Sequence, residues 1–258
     1  GYLYEFHSSY DSSYRLDAEK ELRQISDTFD SFVALSEGDA QLFAQWLNRP
    51  VDAVSNLNAS LDPAVERKVL ALAEQKKPVV QYIGRYSEEK GLMRILESFI
   101  ACATEFPEWI LKLNGSGGEA IERQLKERIA SLDSVLAERI VVDGPLNSEQ
   151  VLEAYAEASL TIGASDFEGA PMALQEAMRV GTPMVSYPSC WVLRDVLPQV
   201  GYLAQERSIE ALTEQLRVAM GDDAQRKEKS ERCLQKAQEY TPEHIVRRWE
   251  EVFASIQR

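Results

Sequence analysis

From residue 78 onward the chain alternates between two patterns of apolar positions. One is a set of short β-branched or apolar runs: Val79–Ile83, Ile110–Leu113, Arg139–Val142, Leu160–Ile162, Met184–Tyr187 and a weaker Tyr202-Leu203. The other is a set of longer stretches with apolar residues three and four apart, such as Leu92, Ile95, Leu96, Phe99 and Ile100, or Ile121, Leu125, Ile129 and Leu132. The runs read as strands too apolar to face water, and the stretches as amphipathic helices. Their alternation predicts an α/β fold with a parallel sheet covered on both faces, a doubly wound, Rossmann-like domain. The end of the chain breaks the rhythm, with helices predicted over 208–220 and 223–239 and no strand between them. Thr241-Pro242 then opens a last helix, with Thr as N-cap and Pro at the first helical position. Its apolar stripe is Ile245, Trp249, Val252, Phe253 and Ile256.

Residues 1–77 hold fewer units of this kind. Tyr2–Phe6 reads as a strand ending at His7, Leu16–Ile25 as a charged helix, and Phe32–Leu35 as a strand followed by Ser36, an N-cap for a helix over Glu37–Leu47. Val51–Val54 reads as a short strand, Asn56–Pro63 as a turn-rich connector, and Asp62-Pro63 as the opening of a helix that runs through Ala73. Gln75–Pro78 is the expected hinge. The predicted organisation is a partial α/β domain over 1–77, the Rossmann-like domain over 78–240 and a terminal helix over 241–258. No internal repeat or low-complexity segment interrupts it.

Composition narrows the classes. The 258 residues carry 28 Lys and Arg against 42 Asp and Glu, a net charge of −14, with 27% charged and 45% hydrophobic positions. That is ordinary for a globular chain and excludes disorder, collagen-like repeats and a disulfide scaffold. The acidic balance speaks against a nucleic-acid partner, whose phosphates need clustered Lys and Arg. Cys102, Cys190 and Cys233 are odd in number, widely spaced and form no CxxC, and only His7 and His244 are present, so no metal site is expected. No apolar run is as long as a membrane span and no signal peptide opens the chain. The expected location is cytoplasmic, extending to peripheral attachment at the inner face of the membrane. Gly1 in place of Met points to a processed or trimmed chain.

Three constellations follow strands directly. The first is Asp166-Phe167-Glu168-Gly169-Ala170-Pro171-Met172-Ala173-Leu174-Gln175-Glu176-Ala177-Met178, after Leu160–Ile162 and before Gly181-Thr182-Pro183. Pro171 fits the first turn of a helix that Gly181 ends, which puts Glu168 in a loop at the carboxyl edge of a parallel sheet and Glu176 inside the helix. Ligands bind at that edge. Ionised carboxylates there suit a hydroxyl-rich ligand, and the backbone amides at 169–172 suit an anion. Spacing alone fits two solvated surface charges as well. The second is Gly84-Arg85-Tyr86-Ser87-Glu88-Glu89-Lys90-Gly91. Here Gly84 admits a close ligand and Arg85 and Lys90 suit a diphosphate, though a plain solvated loop reads equally well. The third, Asn114-Gly115-Ser116-Gly117-Gly118, fits a tight turn as readily as a phosphate loop.

In this order the three resemble the C-terminal half of glycosyltransferase family 4, the retaining, nucleotide-sugar-dependent "group 1" enzymes of the GT-B fold. The family's GR…KG loop is matched by Gly84-Arg85 and Lys90-Gly91, its G.G turn at Gly115, and its next glycine turn by Asp143-Gly144. Its E-x7-E motif is matched by Glu168 and Glu176, and the segment beyond by Glu176-Ala177-Met178 through Gly181, Pro183 and Val185. The resemblance covers residues 79–258. Upstream, Ala34-Leu35-Ser36-Glu37 resembles the family's "vialSe" segment and Phe6-His7-Ser8 its strand-end histidine. Ser55-Asn56 stands where the family often has PNG, with Leu57 in place of the glycine.

The resemblance implies roles. Arg85 and Lys90 would hold the donor diphosphate and offset charge on the leaving group. Glu176 would take the nucleotide ribose hydroxyls, and Glu168 with Gly169, Ala170, Pro171 and Met172 the transferred sugar. Gly84, Gly115 and Gly144 would border the donor, and His7 would face the reacting sugar or acceptor. It implies a glycosyltransferase (EC 2.4) whose donor, a nucleotide-diphosphate sugar, is a substrate. No cofactor or metal is called for, since no DxD motif occurs and cationic side chains can stand in for a metal. The acceptor, a glycan, lipid or small molecule, is left open. The GT-B fold needs two such domains, and residues 1–77 supply only the tail of the first, so the expectation is a fragment, a natural truncation, or a part completed by a missing N-terminal domain or partner chain. Two alternatives stay open: an accessory subunit that binds a nucleotide sugar without catalysis, and a GT-B-fold nucleotide-sugar epimerase.

Overall fold

The computed structural model describes residues 1–10, 25–56 and 63–256, so the helix expected over Leu16–Ile25 lies almost wholly outside the described residues, as does most of the turn-rich connector. Among the described residues there are two parallel sheets. The smaller has strands β1 (Leu3–Phe6), β2 (Ser31–Ala34) and β3 (Asp52–Ala53) side by side, with helix α1 (Glu37–Leu47) between β2 and β3 in the chain. Ser36 caps α1 as expected, its hydroxyl accepting from the Asp39 amide at 3.1 Å.

Helix α2 (Pro63–Ala73) precedes the larger sheet of β4 (Lys77–Ile83), β5 (Ile110–Asn114), β6 (Ile140–Asp143), β7 (Ala158–Gly163), β8 (Met184–Ser186) and β9 (Tyr202–Leu203). These strands lie in the order β6-β5-β4-β7-β8-β9. The connecting helices are α3 (Leu92–Cys102), α4 (Glu119–Ala130), the one-turn α5 (Ser134–Ala137), α6 (Ser148–Glu157), α7 (Met172–Arg179) and α8 (Trp191–Val200). After β9 come α9 (Ile209–Gly221), α10 (Asp223–Ala237) and α11 (Pro242–Ile256). The doubly wound sheet is thus the one predicted, and all its strand pairs are parallel.

The core explains the order. Leu92, Ile95, Leu96 and Phe99 of α3 bury against Leu111, Leu113, Leu160 and Ile162 of the sheet and Leu212 and Leu216 of α9. A separate cluster joins Leu152 and Tyr155 of α6 to Ala177 of α7 and Val69 of α2. Val69 is the reason that α2, read in sequence with the N-terminal part, packs on the flank of the larger sheet. The segment expected to hinge is pinned: the Lys76 ammonium donates to the carbonyls of Ala156, Ala158 and Val180 and to Thr182 Oγ1, at 2.7–3.3 Å. Burial lowers its pKa to about 8. At the other end α11 returns to the smaller sheet, where Ile245 and Val252 bury against Val33 and Val54. Its Arg248 donates to the Ala53 carbonyl at 3.2 Å.

One feature of the larger sheet positions a site. The chain runs outward from β4 to β6 and then returns to build β7 on the other side of β4, so the loops after β4 and β7 part there and leave a crevice at the carboxyl edge.

Candidate active site

A cavity of about 370 Å³ lies in that crevice. The loop after β4 contributes Gly84, Arg85 and Lys90, and the loop after β7 and the start of α7 contribute Glu168, Ala170, Pro171 and Met172. Glu176 of α7 and Tyr155 of α6 form the rear. Residues from two of the three constellations singled out in the sequence therefore meet in one place.

The loop after β4 is shaped by its neighbours. The buried Tyr86 hydroxyl donates to the carbonyls of Leu113 and Asp143, at 2.7 and 2.9 Å, and so joins three strand ends. Tyr82 Oη donates to the Arg85 carbonyl at 2.8 Å. A β-carbon on Gly115 would stand 1.9 Å from the Gly84 carbonyl oxygen, which explains glycine at 115: it lets two loops touch backbone to backbone. Gly91, at φ +66°, ends the short turn that carries Lys90. Arg85 is largely exposed, with Nη2 3.5 Å from Glu89 Oε1. Ser87 holds that carboxyl below the usual carboxylate range by donating to it.

The loop after β7 is fastened from both sides. Arg94 Nη2 donates to the Ala164 carbonyl at 2.7 Å and pairs with Asp166 Oδ1 at 2.8 Å, and the Asp166 amide donates to the Glu89 carbonyl at 2.8 Å. On the far side Asn56 Nδ2 donates to the Ala170 carbonyl at 3.2 Å. Within the cavity Lys90 Nζ lies 2.7 Å from Glu168 Oε1, with both side chains about one-fifth exposed (21% and 19%). Pro171, extended at φ −67° and ψ 115°, takes the N-cap place, immediately before the first turn of helix α7, which starts at Met172. The positive end of α7 therefore faces the cavity. Burial raises the Glu176 carboxyl above the usual carboxylate range. Burial, helped by the charge of Glu176, raises the Tyr155 phenol as well.

The remaining expected residues fall around this centre. Gly169 sits against the His7 backbone, just past the end of β1, where an added β-carbon would stand 2.5 Å from the carbonyl oxygen. Gly115 buttresses the first loop from behind, and Gly144 stands in the turn after β6; neither lines the cavity. His7 lies beyond β1 with its imidazole largely exposed, Nε2 3.3 Å from Glu5 Oε2, and it too is outside the cavity lining. Tyr155, Tyr82 and Arg94 were not singled out in the sequence. The first two look like core aromatics, and Arg94 like a polar position on an amphipathic helix. Among the described residues no group of three or more His, Cys, Asp or Glu is placed to hold a metal ion, and no helix is long and apolar enough to cross a membrane.

Comparison with known proteins agrees with this geometry. Residues 66–240 match the family "Glycosyl transferases group 1". The chain belongs to that family. Among curated relatives of this group 1 chain, the poly(glycerol-phosphate) alpha-glucosyltransferase of Bacillus subtilis is 28% identical over 195 residues, covering 75% of this chain and 27% of that protein. An exopolysaccharide phosphotransferase of Streptomyces coelicolor is 25% identical over 230 residues, covering 88% of this chain and 23% of that protein. The chain thus spans about a quarter of either. Among solved structures, the pneumococcal O-GlcNAc transferase GtfA in complex with UDP and GlcNAc aligns with a TM-score of 0.79 at 17% identity, over 99% of this chain and 52% of that one. TarM of S. aureus gives 0.75 at 17% identity, over 97% and 50%. The shared fold is the GT-B glycosyltransferase fold, of which this chain spans about half the length in either structure.

Proposed function

We propose that the chain is the donor-binding part of a retaining glycosyltransferase that moves a sugar from a nucleotide-diphosphate sugar to an acceptor hydroxyl. The observation that carries this reading is the convergence of Lys90, Arg85, Glu168 and Glu176 on one cavity at the sheet's switch point. Its cations suit a diphosphate, and its carboxylates suit hydroxyl groups. Arg85, Lys90 and the N-terminus of α7 hold the diphosphate and take up the charge that develops on it as the bond to the sugar breaks. Glu176 accepts from the ribose hydroxyls, and Glu168 with the backbone at Gly169–Met172 accepts and orients the sugar. Gly84 lets the diphosphate approach, while Gly115 and Gly144 belong to the outer donor border. His7, just past the end of β1 and beside Gly169, faces the acceptor side. This chemistry requires no cofactor and no metal. The acceptor is a glycan, lipid or small molecule, and a further N-terminal domain or a partner chain completes the acceptor side. The expected place of work is the cytoplasm or the inner face of the membrane.

The test is incubation with a panel of radiolabelled nucleotide sugars. Sugar release or transfer supports the transferase. An epimerised nucleotide sugar, or binding with no turnover even in the completed protein, contradicts it.

A further inference from the structure

Resting on that reading of the cavity, the ammonium that a donor diphosphate needs is bonded to a carboxylate of the protein itself. Lys90 Nζ and Glu168 Oε1 are 2.7 Å apart, and neither side chain is more than about one-fifth exposed. Partial burial leaves such a pair less screened by water and salt than a surface pair.

Glu168 has little freedom to step aside. Its loop is tied through Ala164 and Asp166 to Arg94, through Asp166 to the Glu89 carbonyl, and through Ala170 to Asn56. Beside it, a β-carbon on Gly169 would stand 2.5 Å from the His7 carbonyl oxygen. A diphosphate approaching Lys90 therefore meets the carboxylate as well. Arg85 is held differently: it is 75% exposed and its contact with Glu89 is 3.5 Å. Only one of the two cations is strongly contested.

The contest weighs differently on donor and product. In a nucleotide sugar the terminal phosphate is esterified, and the sugar's hydroxyls can donate to Glu168. In the spent nucleoside diphosphate that phosphate is a monoester, whose second ionisation near pH 6 adds about one negative charge at neutral pH. No hydroxyl is then present to satisfy the carboxylate. We propose that Glu168 determines the preference for nucleotide sugar over free nucleoside diphosphate by competing with the bare terminal phosphate for Lys90, so that it promotes release of the spent product.

The experiment titrates the intact chain, E168Q and E157Q by calorimetry with uridine, guanosine and adenosine diphosphates and with their glucose esters. E168Q is expected to bind the diphosphate that the wild type accepts about three- to tenfold more tightly. The matching sugar ester should bind no better than before, and E157Q, which removes a carboxylate paired with Lys77 outside the cavity, should change neither. Equal or weaker diphosphate binding by E168Q with an unchanged thermal midpoint overturns the inference. If E168Q does not fold, E168D takes its place. Its shorter side chain loosens the contact with Lys90, so it should bind diphosphate more tightly than wild type; failure to do so counts against the inference. Wild type that binds no diphosphate overturns the donor-site reading itself. Binding that Lys90→Ala weakens and E168Q leaves unchanged overturns this inference alone.

Discussion

Gly169 and His7 meet backbone to backbone. A β-carbon on Gly169 would stand 2.5 Å from the His7 carbonyl oxygen and 3.2 Å from its carbon, so the loop that carries Glu168 is seated against the end of β1. Backbone cannot swing aside as a long side chain can. Gly169→Ala is expected to cost about 1–3 kcal/mol of stability and to weaken nucleotide-sugar binding, as an overpacked contact does. Gly144 is the control for stability, because a β-carbon there meets nothing within 4 Å and Gly144→Ala should leave the unfolding free energy unchanged. Thermal unfolding and calorimetry on both variants check this. Equal behaviour of the two would mean that the contact does not hold the loop.

Arg94 reaches the site only through the loop it fastens. Its Nη2 bonds both the Ala164 carbonyl and Asp166 Oδ1. Arg94→Ala, which removes both bonds, is therefore expected to weaken nucleotide-sugar binding about tenfold, while binding of a nucleoside alone changes little. Parallel losses for both ligands would mark a general structural role instead.

Glu176 gives the binding a pH signature. Burial raises its carboxyl, so on acidification it loses its charge at a higher pH than an exposed glutamate. A protonated carboxyl is a poorer acceptor for ribose hydroxyls, so nucleoside binding is expected to weaken as pH falls through that raised value. Glu176→Gln should bind about ten- to hundredfold more weakly and lose this pH dependence. Nucleoside titrations between pH 4.5 and 7.5 (about these limits, set by carboxylate chemistry) decide it, and a pH profile that survives in the variant would contradict the assignment.

Lys76 gives the fold its own pH signature. Its folded pKa is lowered from 10.5 to about 8, chiefly by burial. Below that value both states hold the proton and the cost of burying the charge is constant. Between it and 10.5 the unfolded chain holds a proton that the folded chain has lost, so this residue's contribution to stability rises with pH. The buried thiols Cys102 and Cys190, pushed up to about 11 and 12, act in the opposite sense and are common to wild type and variant. The unfolding free energy of wild type minus that of Lys76→Met should therefore increase by about 2 kcal/mol from neutral pH to roughly pH 9.5. Urea titrations at the two pH values measure it, and a constant difference would show that the amine keeps its proton.

The larger sheet was legible because its strands are nearly all apolar and its helices amphipathic, and because the loops that carry chemistry follow strands directly. Arg85, Lys90, Glu168 and Glu176, singled out in the sequence on loops and a helix that follow strands, line one cavity for that reason. What could not be read depends on contacts between distant segments. Val69 places α2 beside α6, which local pattern cannot show. Gly115 is glycine because of Gly84, thirty-one residues earlier, and so looks in sequence like a phosphate-loop glycine. Lys76 reads as a charged hinge residue but is held by four acceptors from two distant segments, 156–158 and 180–182. Ion pairing is equally silent: nothing in the spacing of Lys90 and Glu168 announces a bond across the crevice.

The most direct measurement is the affinity of the chain for a nucleoside and for its diphosphate, before and after loss of the cavity's cations. The diphosphate should bind more tightly than the nucleoside. Lys90→Ala and Arg85→Ala should each weaken the diphosphate by about 1.5–3 kcal/mol, and leave the nucleoside within about 0.5 kcal/mol of wild type. A chain that binds neither ligand, or variants that lose both equally, would contradict the assignment of this cavity to a nucleotide-sugar donor.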